Sequence, residues 1–201
     1  MTTTAPTSAA PERGTPGRGA ATKRRILDAA EQVVLRDGVG HLTLEAAAHQ
    51  ADLSKGGVLY HFPTRDALVA AMVARIIEQF EEDIAAYLPA PGTAGDGVPG
   101  AFARAYLRAT MAPVNEGEDR LGAALLAAAA AEPALLAPLQ EAADGWQARL
   151  VEDGLDPGTA TVVRMACDGV WLCDLFGLAP PRAELRARVA ALLEDLVGGS
   201  A

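Results

Sequence analysis

The densest chemistry in the chain lies between Ser54 and Leu68, in the run Ser-Lys-Gly-Gly-Val-Leu-Tyr-His-Phe-Pro-Thr-Arg-Asp-Ala-Leu. Glycines at 56 and 57 let a backbone come close to a surface, because no Cβ holds it off. Lys55 can meet a phosphate or a guanine edge, and Tyr60 and His61 offer polar tips to phosphates or bases. Ser54 and Thr64 are helix-starting residues, as is Thr43 upstream. At Thr43 and at Thr64-Arg65, a hydroxyl, backbone N–H groups and a guanidinium can converge on phosphates. This is chemistry for gripping a polyanion. Bond-breaking chemistry has little support: no His-Glu-x-x-His, Cys-x-x-Cys, Gly-x-Ser-x-Gly or phosphate loop occurs. The histidines, His41, His49 and His61, do not share a helical face at ligand spacing with a cysteine or with one another. No catalytic residue, metal ligand or cofactor is expected, and the chain does not read as an enzyme.

The elements that must position these groups read as helices. Thr22 can cap a first helix to about Asp37, with Ile26, Leu27, Ala30, Val33 and Val34 as its apolar stripe. Gly38 and Gly40 end it. Thr43 starts a short second helix to about Ala51, followed by a tight turn at Asp52-Leu53. Ser54 caps a third helix to about His61, where Pro63 stops it. Thr64 caps a long fourth helix to about Leu88, with Leu68, Met72, Ile76 and Phe80 facing inward. A short helix, a tight turn and a second capped helix form the helix-turn-helix plan, whose second helix enters the major groove of DNA. By helical spacing Leu59 and Phe62 read as core, and Tyr60 reads either as a contact or as a partly buried tyrosine. Lys23, Arg24 and Arg25 read either as a solvated first turn or as a continuation of Arg13 and Arg18 along the DNA backbone.

Residues 22 to about 75 resemble the N-terminal domain of the TetR (tetracycline-repressor-like) family of bacterial transcription regulators. Thr43, Ala48, Ala51, Ser54, Gly57, Leu59, Tyr60, His61, Phe62, Arg65 and Leu68 carry the resemblance. It implies that the third helix reads double-stranded DNA and that Tyr60 and His61 touch phosphates. The DNA-facing set is then Thr43, Ser54, Lys55, Gly56, Gly57, Tyr60, His61, Thr64 and Arg65. Two positions depart from the family pattern. Asp52 stands where the turn usually has Gly, and Ala47 stands where a bulky aliphatic is usual, which thins the small core.

Composition sets the frame for the remainder. Half of the 201 residues are apolar, aromatics make up 4%, and the Ala- and Leu-rich stretches have helical period, so an all-α fold of about nine helices is expected. The net charge is −9, but residues 1–80 hold 9 basic against 8 acidic residues while residues 81–201 hold 8 against 18. Local rather than net charge governs affinity for a polyanion. Residues 1–20 read as a disordered basic tail, 21–66 as the DNA-binding domain, and 67–201 as a helical domain for ligand binding and dimerisation. Cys167 and Cys173 lie on one helix and cannot pair within it, which fits a cytoplasmic protein. No signal peptide or membrane span is read, and no membrane partner is expected.

After the loop Pro89 to Gly100, helices are expected at about 101–112, 118–131, 133–153, 157–178 and 181–197, with Pro133, Pro157 and Pro181 in first turns. The segment Thr159 to Leu178 is apolar almost all round. The last helix shows a stripe of Leu185, Val189, Leu192, Leu193 and Leu196. These two helices could form a four-helix homodimer interface, as the resemblance also implies. The resemblance further implies a small-molecule pocket among the middle helices. Candidate residues are Phe102, Tyr106, Met111, Trp146, Met165, Cys167, Asp168 and Trp171, all of which also read as core. Asp168 reads either as a ligand anchor or as the ion-pair partner of Arg164. The reading is therefore a DNA-binding regulator, a repressor released from a palindromic operator by a small molecule. The alternatives are a regulator or architectural protein without a ligand, or an all-α small-molecule-binding protein.

Overall fold

The computed structural model describes residues 17–112, 116–131 and 133–199, and every regular element among them is helical. The expected tail, up to residue 16 and including Arg13, and the joint at Pro113 lie outside the described residues. Helix α1 (Arg18–Asp37) starts a turn earlier than a cap at Thr22 would allow. Gly17 precedes it, and the Thr22 hydroxyl donates to the Arg18 carbonyl at 2.9 Å. Ala20 and Ala21 favour the helix, and a threonine inside one turns its hydroxyl onto the carbonyl four residues back. Arg18 thus belongs to α1 rather than to a tail.

A 3-10 turn at Val39–His41 leads to α2 (Leu44–Gln50), α3 (Lys55–His61) and α4 (Arg65–Tyr87). Each of these helices begins on a hydroxyl. Thr43 accepts from Ala46 N at 3.0 Å, Ser54 from Gly57 N at 3.1 Å and Thr64 from Ala67 N at 3.0 Å. Such caps satisfy N–H groups that a helix start leaves without partners. The first core gathers Ile26, Val33, Leu42, Val58, Phe62, Leu68 and Met72. Ala47 is fully buried within it, on a helix that packs chiefly against α1 and α3.

After the loop, α5 (Ala101–Met111), α6 (Glu116–Ala131), α7 (Ala137–Val151), α8 (Pro157–Phe176) and α9 (Ala183–Gly199) build the second half. The single helix expected over 133–153 is divided: Pro133–Leu136 is a 3-10 turn and α7 starts only at Ala137. Pro138 lies in the first turn of α7 and has no N–H to continue a ladder from the preceding turn. Pro181 lies ahead of α9 rather than in its first turn. The second core holds Ile84, Phe102, Tyr106, Leu107, Leu150, Val163, Cys167, Leu193 and Val197. At the mouth of α5, Gly100 has φ 79°, and a Cβ there would fall 2.5 Å from Val197 Cγ1. Glycine offers no capping side chain, so Asp153 caps α5 from the α7–α8 connection, accepting from Phe102 N at 3.0 Å and Ala103 N at 2.8 Å. Among the described residues no helix is long and apolar enough to cross a membrane.

The turn between α2 and α3 depends on Asp52 at φ +51°, a left-handed conformation. That geometry strains most L residues by about 1 kcal/mol, and Asp tolerates it better than most. Asp52→Gly is expected to raise the unfolding free energy read from urea curves by at most about 0.5 kcal/mol, the relieved strain less the added entropy of glycine. A lower midpoint would mean that the aspartate is not strained.

Candidate nucleic-acid interface and apolar chamber

Helix α3 has only seven residues, and its two sides differ sharply. Val58 and Phe62, four apart, are buried and close the first core. Lys55, Gly56, Leu59 and Tyr60 face solvent. Tyr60 is 86% exposed and so is not a core tyrosine; its ring stands edge-on to His61 at 5.1 Å. Leu59, expected in the core, is 39% exposed. The reason is angular. With Val58 pointing inward, the next residue is rotated about 100° around the helix and leaves the core side.

The glycine pair has no internal cause. A Cβ at Gly56 would lie 3.9 Å from Ser54 Oγ and one at Gly57 3.4 Å, both ordinary contacts. Neither residue has a positive φ. Each glycine nonetheless costs a helix about 1 kcal/mol against alanine. Neither steric space nor backbone conformation within the fold requires glycine at these two positions.

Lys55 pairs with Glu45 of α2 across the helix-turn-helix, with both side chains more than half exposed. The Lys55 hydrogen bond holds the Glu45 carboxyl below the usual carboxylate range. An exposed pair of this kind contributes little stability and exchanges readily for another anion. The capping hydroxyls of Thr43, Ser54 and Thr64 are on exposed residues. Each accepts a backbone N–H and keeps its own O–H free to donate outward.

Arg65, expected to face DNA, also bonds within the fold. It is half-buried, its Nε donates to Leu42 O at 3.0 Å and its Nη2 to Val39 O at 3.2 Å. The guanidinium therefore ties the start of α4 to the segment ahead of α2, giving Leu42 O a donor and adding a second to Val39 O, which already accepts from Leu42 N at 3.1 Å. Arg25 plays a similar part for the turn, donating to Asp52 O at 3.3 Å. Lys23 sits 6.0 Å over the Phe62 ring, and Lys23, Arg24 and Arg25 are all exposed.

In the second half, the eight pocket candidates separate. Phe102, Tyr106, Trp146 and Cys167 are packed in the second core, and Met111 packs against it. Burial pushes the Cys167 thiol up to about 12, with the Asp168 charge adding to the effect. Burial and then Asp168 raise Tyr106 as well. Asp168 accepts from the Tyr106 hydroxyl at 2.7 Å and pairs with Arg164 at 2.6 Å, so its carboxylate is held by the protein itself. Trp146 donates to Glu81, which Arg149 also meets at 3.0 Å. Met165 is 61% exposed on the outer side of α8.

Trp171 borders a cavity. This is a small apolar chamber of about 40 Å³ between α4, α6, α7 and α8, lined also by Val73, Ile76, Ile77, Leu125 and Leu139. It falls at the seam of the two cores: Leu125 belongs to the first, Ile76 packs against the first, and Ile77 and Leu139 against the second. Sequence reading missed these residues because aliphatics at helical spacing look the same around a chamber as in a solid core. A wider, open groove of about 700 Å³ runs between the end of α1 and α6 and α8. Its charges are matched internally: Arg36 with Asp37, Asp174 with Arg186, and Arg120 on Leu35 O.

Comparison with known proteins gives two family matches. The family described as "Bacterial regulatory proteins, tetR family" matches residues 26–72, and "Tetracyclin repressor-like, C-terminal domain" matches residues 100–198. Among solved structures, the multidrug binding protein EbrR complexed with ethidium is 27% identical, with TM-score 0.65, covering 88% of this chain and 98% of that one. EbrR complexed with malachite green is 29% identical, with TM-score 0.66 and coverage of 90% and 99%. A member of the TetR family from Streptomyces coelicolor is 28% identical, with TM-score 0.69 and coverage of 88% and 98%. A comparison with curated proteins finds no significant match.

The inward role of Arg65 is testable apart from DNA. Arg65→Ala leaves Leu42 O without its side-chain donor and Val39 O with only Leu42 N, and is expected to destabilise the fold by about 1–3 kcal/mol. Hydrogen exchange should locate the loss at the Val39–Leu42 segment. An unchanged urea midpoint would return Arg65 to the surface set.

Proposed function

The chain belongs to the TetR family of bacterial transcriptional regulators, and from that premise we propose that it is a homodimeric repressor. In this reading α3 enters the major groove of a palindromic operator, and a small apolar molecule in the helical domain releases it. The division of labour follows the expected one: residues 21–66 read DNA, and 67–201 bind ligand and dimerise.

The observation that carries the DNA reading is the uncompensated glycine pair of α3. Gly56 and Gly57 weaken a seven-residue helix and relieve no contact within the fold. Close approach to a groove is the gain that offsets them. Lys55 exchanges Glu45 for a phosphate or a guanine edge, and Tyr60 and His61 reach the backbone beside it. Thr43, Ser54 and Thr64 add O–H donors along the same face.

Dimerisation is supported by the outer side of α8 and α9. Val162, Met165, Leu172 and Phe176 line one stripe of α8, and Leu185 and Leu192 extend it on α9, all exposed. An apolar stripe on two adjacent helices suits burial against its own copy, as in a four-helix interface. Two copies of α3 then meet two half-sites related by the same axis.

Ligand release is supported by the chamber at the seam. At about 40 Å³ it is far smaller than the roughly 300 Å³ a drug-sized molecule needs, so entry must displace α6 or α7. Helix α6 packs on α1 as well as on α4 and α8, so its displacement reaches the DNA-binding half. To move the chain from mostly bound to mostly free, the ligand must favour the released state by about 5 kcal/mol. The ethidium and malachite green complexes of EbrR support aromatic, apolar compounds as the first to try. The small chamber also favours a second reading, a regulator with no ligand, in which no compound alters Trp171 emission or frees the DNA.

Binding-site selection from random duplexes tests the reading, and an inverted repeat bound with a steep salt dependence is expected. Lys55→Ala and Tyr60→Phe should each weaken that binding by about 1–2 kcal/mol while leaving the dimer intact. Unchanged affinity in both variants would remove α3 from the interface. Leu192→Glu should yield a monomer by sedimentation and, with it, weak half-site binding; a dimer that persists would move the interface elsewhere.

A further inference from the structure

We propose that Leu59 reads the C5 methyl group of a thymine in each operator half-site. The inference rests on the DNA-binding reading above and assigns a base to one residue of it.

Leu59 shares the exposed face of α3 with Lys55, Gly56 and Tyr60. The core does not need it, because Val58 and Phe62 already close the inner side. Side chains of a helix lean toward its N-terminus and cover the residues three and four positions back. For Leu59 these are Gly56 and Lys55. One is bare backbone, and the other sends its ammonium sideways to Glu45. The isobutyl group thus lies over Gly56 and beside Lys55 on the exposed face of α3. A leucine there can make no hydrogen bond, and set against a guanine or adenine edge it would strip acceptors of water without replacing them. The major-groove edge that suits it is the methyl of thymine, the apolar feature of that groove.

The test replaces thymine by uracil, which removes the methyl and nothing else, at each thymine of the selected duplex in turn. Symmetric substitution at one position per half-site should weaken the wild-type chain by about fourfold per half-site, the worth of one buried methyl. Leu59→Ala should bind the thymine duplex about as weakly as wild type binds the uracil one, and should be indifferent to the exchange at that position. Circular dichroism and sedimentation check that this exposed substitution leaves fold and dimer unchanged. Salt-dependent binding with no thymine-to-uracil effect at any position overturns the assignment. So does an equal effect in wild type and Leu59→Ala. Absence of salt-dependent binding to any selected duplex overturns the DNA-binding reading together with it.

Discussion

Helix α4 has to satisfy two cores at once. Its first turns bury Leu68, Val69 and Met72 beside α1, and its last turns bury Ile84 beside α5. Arg75 in its middle is held by α1, reaching Asp28 at 2.5 Å and Glu31 at 2.7 Å. The DNA-facing half therefore does not hang on a loop. A rigid rod fixes it relative to the second half, and close-packed cores resist gradual deformation. The Arg65 staple extends the same logic to the start of α4, where it holds the segment leading into α2.

The chamber lies between the two cores, lined by residues of both. Its walls come from α4, α6, α7 and α8, while Tyr106, Asp168 and Arg164 form a self-satisfied polar cluster beside the second core. Polar groups that bond one another make a poor anchor for a ligand, since a ligand would have to replace bonds already made. An apolar seam asks only for shape and surface, which suits a site that opens by helix displacement.

Local chemistry is what made the DNA-facing half legible. Thr43, Ser54 and Thr64 start helices through hydrogen bonds to residues three positions on, so the sequence neighbourhood contains the whole interaction. Asp52 at a left-handed turn is equally local. Thr22 misled because a threonine can cap a helix or sit within it, and only the bond to Arg18 O separates the two. The break before α7 followed from Pro138, a residue whose effect depends on where the preceding turn has begun.

Which side of a helix is buried, by contrast, depends on partners far along the chain. Leu59 and Val58 are adjacent and similar in type, yet one is exposed and the other buried, because only Val58 turns into the first core. Arg65 faces inward because two carbonyls more than twenty residues away lie within its reach. Met165 and Cys167 are two apart on α8, and packing from α5 and α9 puts the cysteine inside and the methionine out. The amino-acid sequence by itself determined the helices, their caps and the surface chemistry of α3, all set by bonds within a few residues. The tertiary structure alone decided which apolar side chains close a core, which line the chamber and which face outward, because burial is a property of long-range contact.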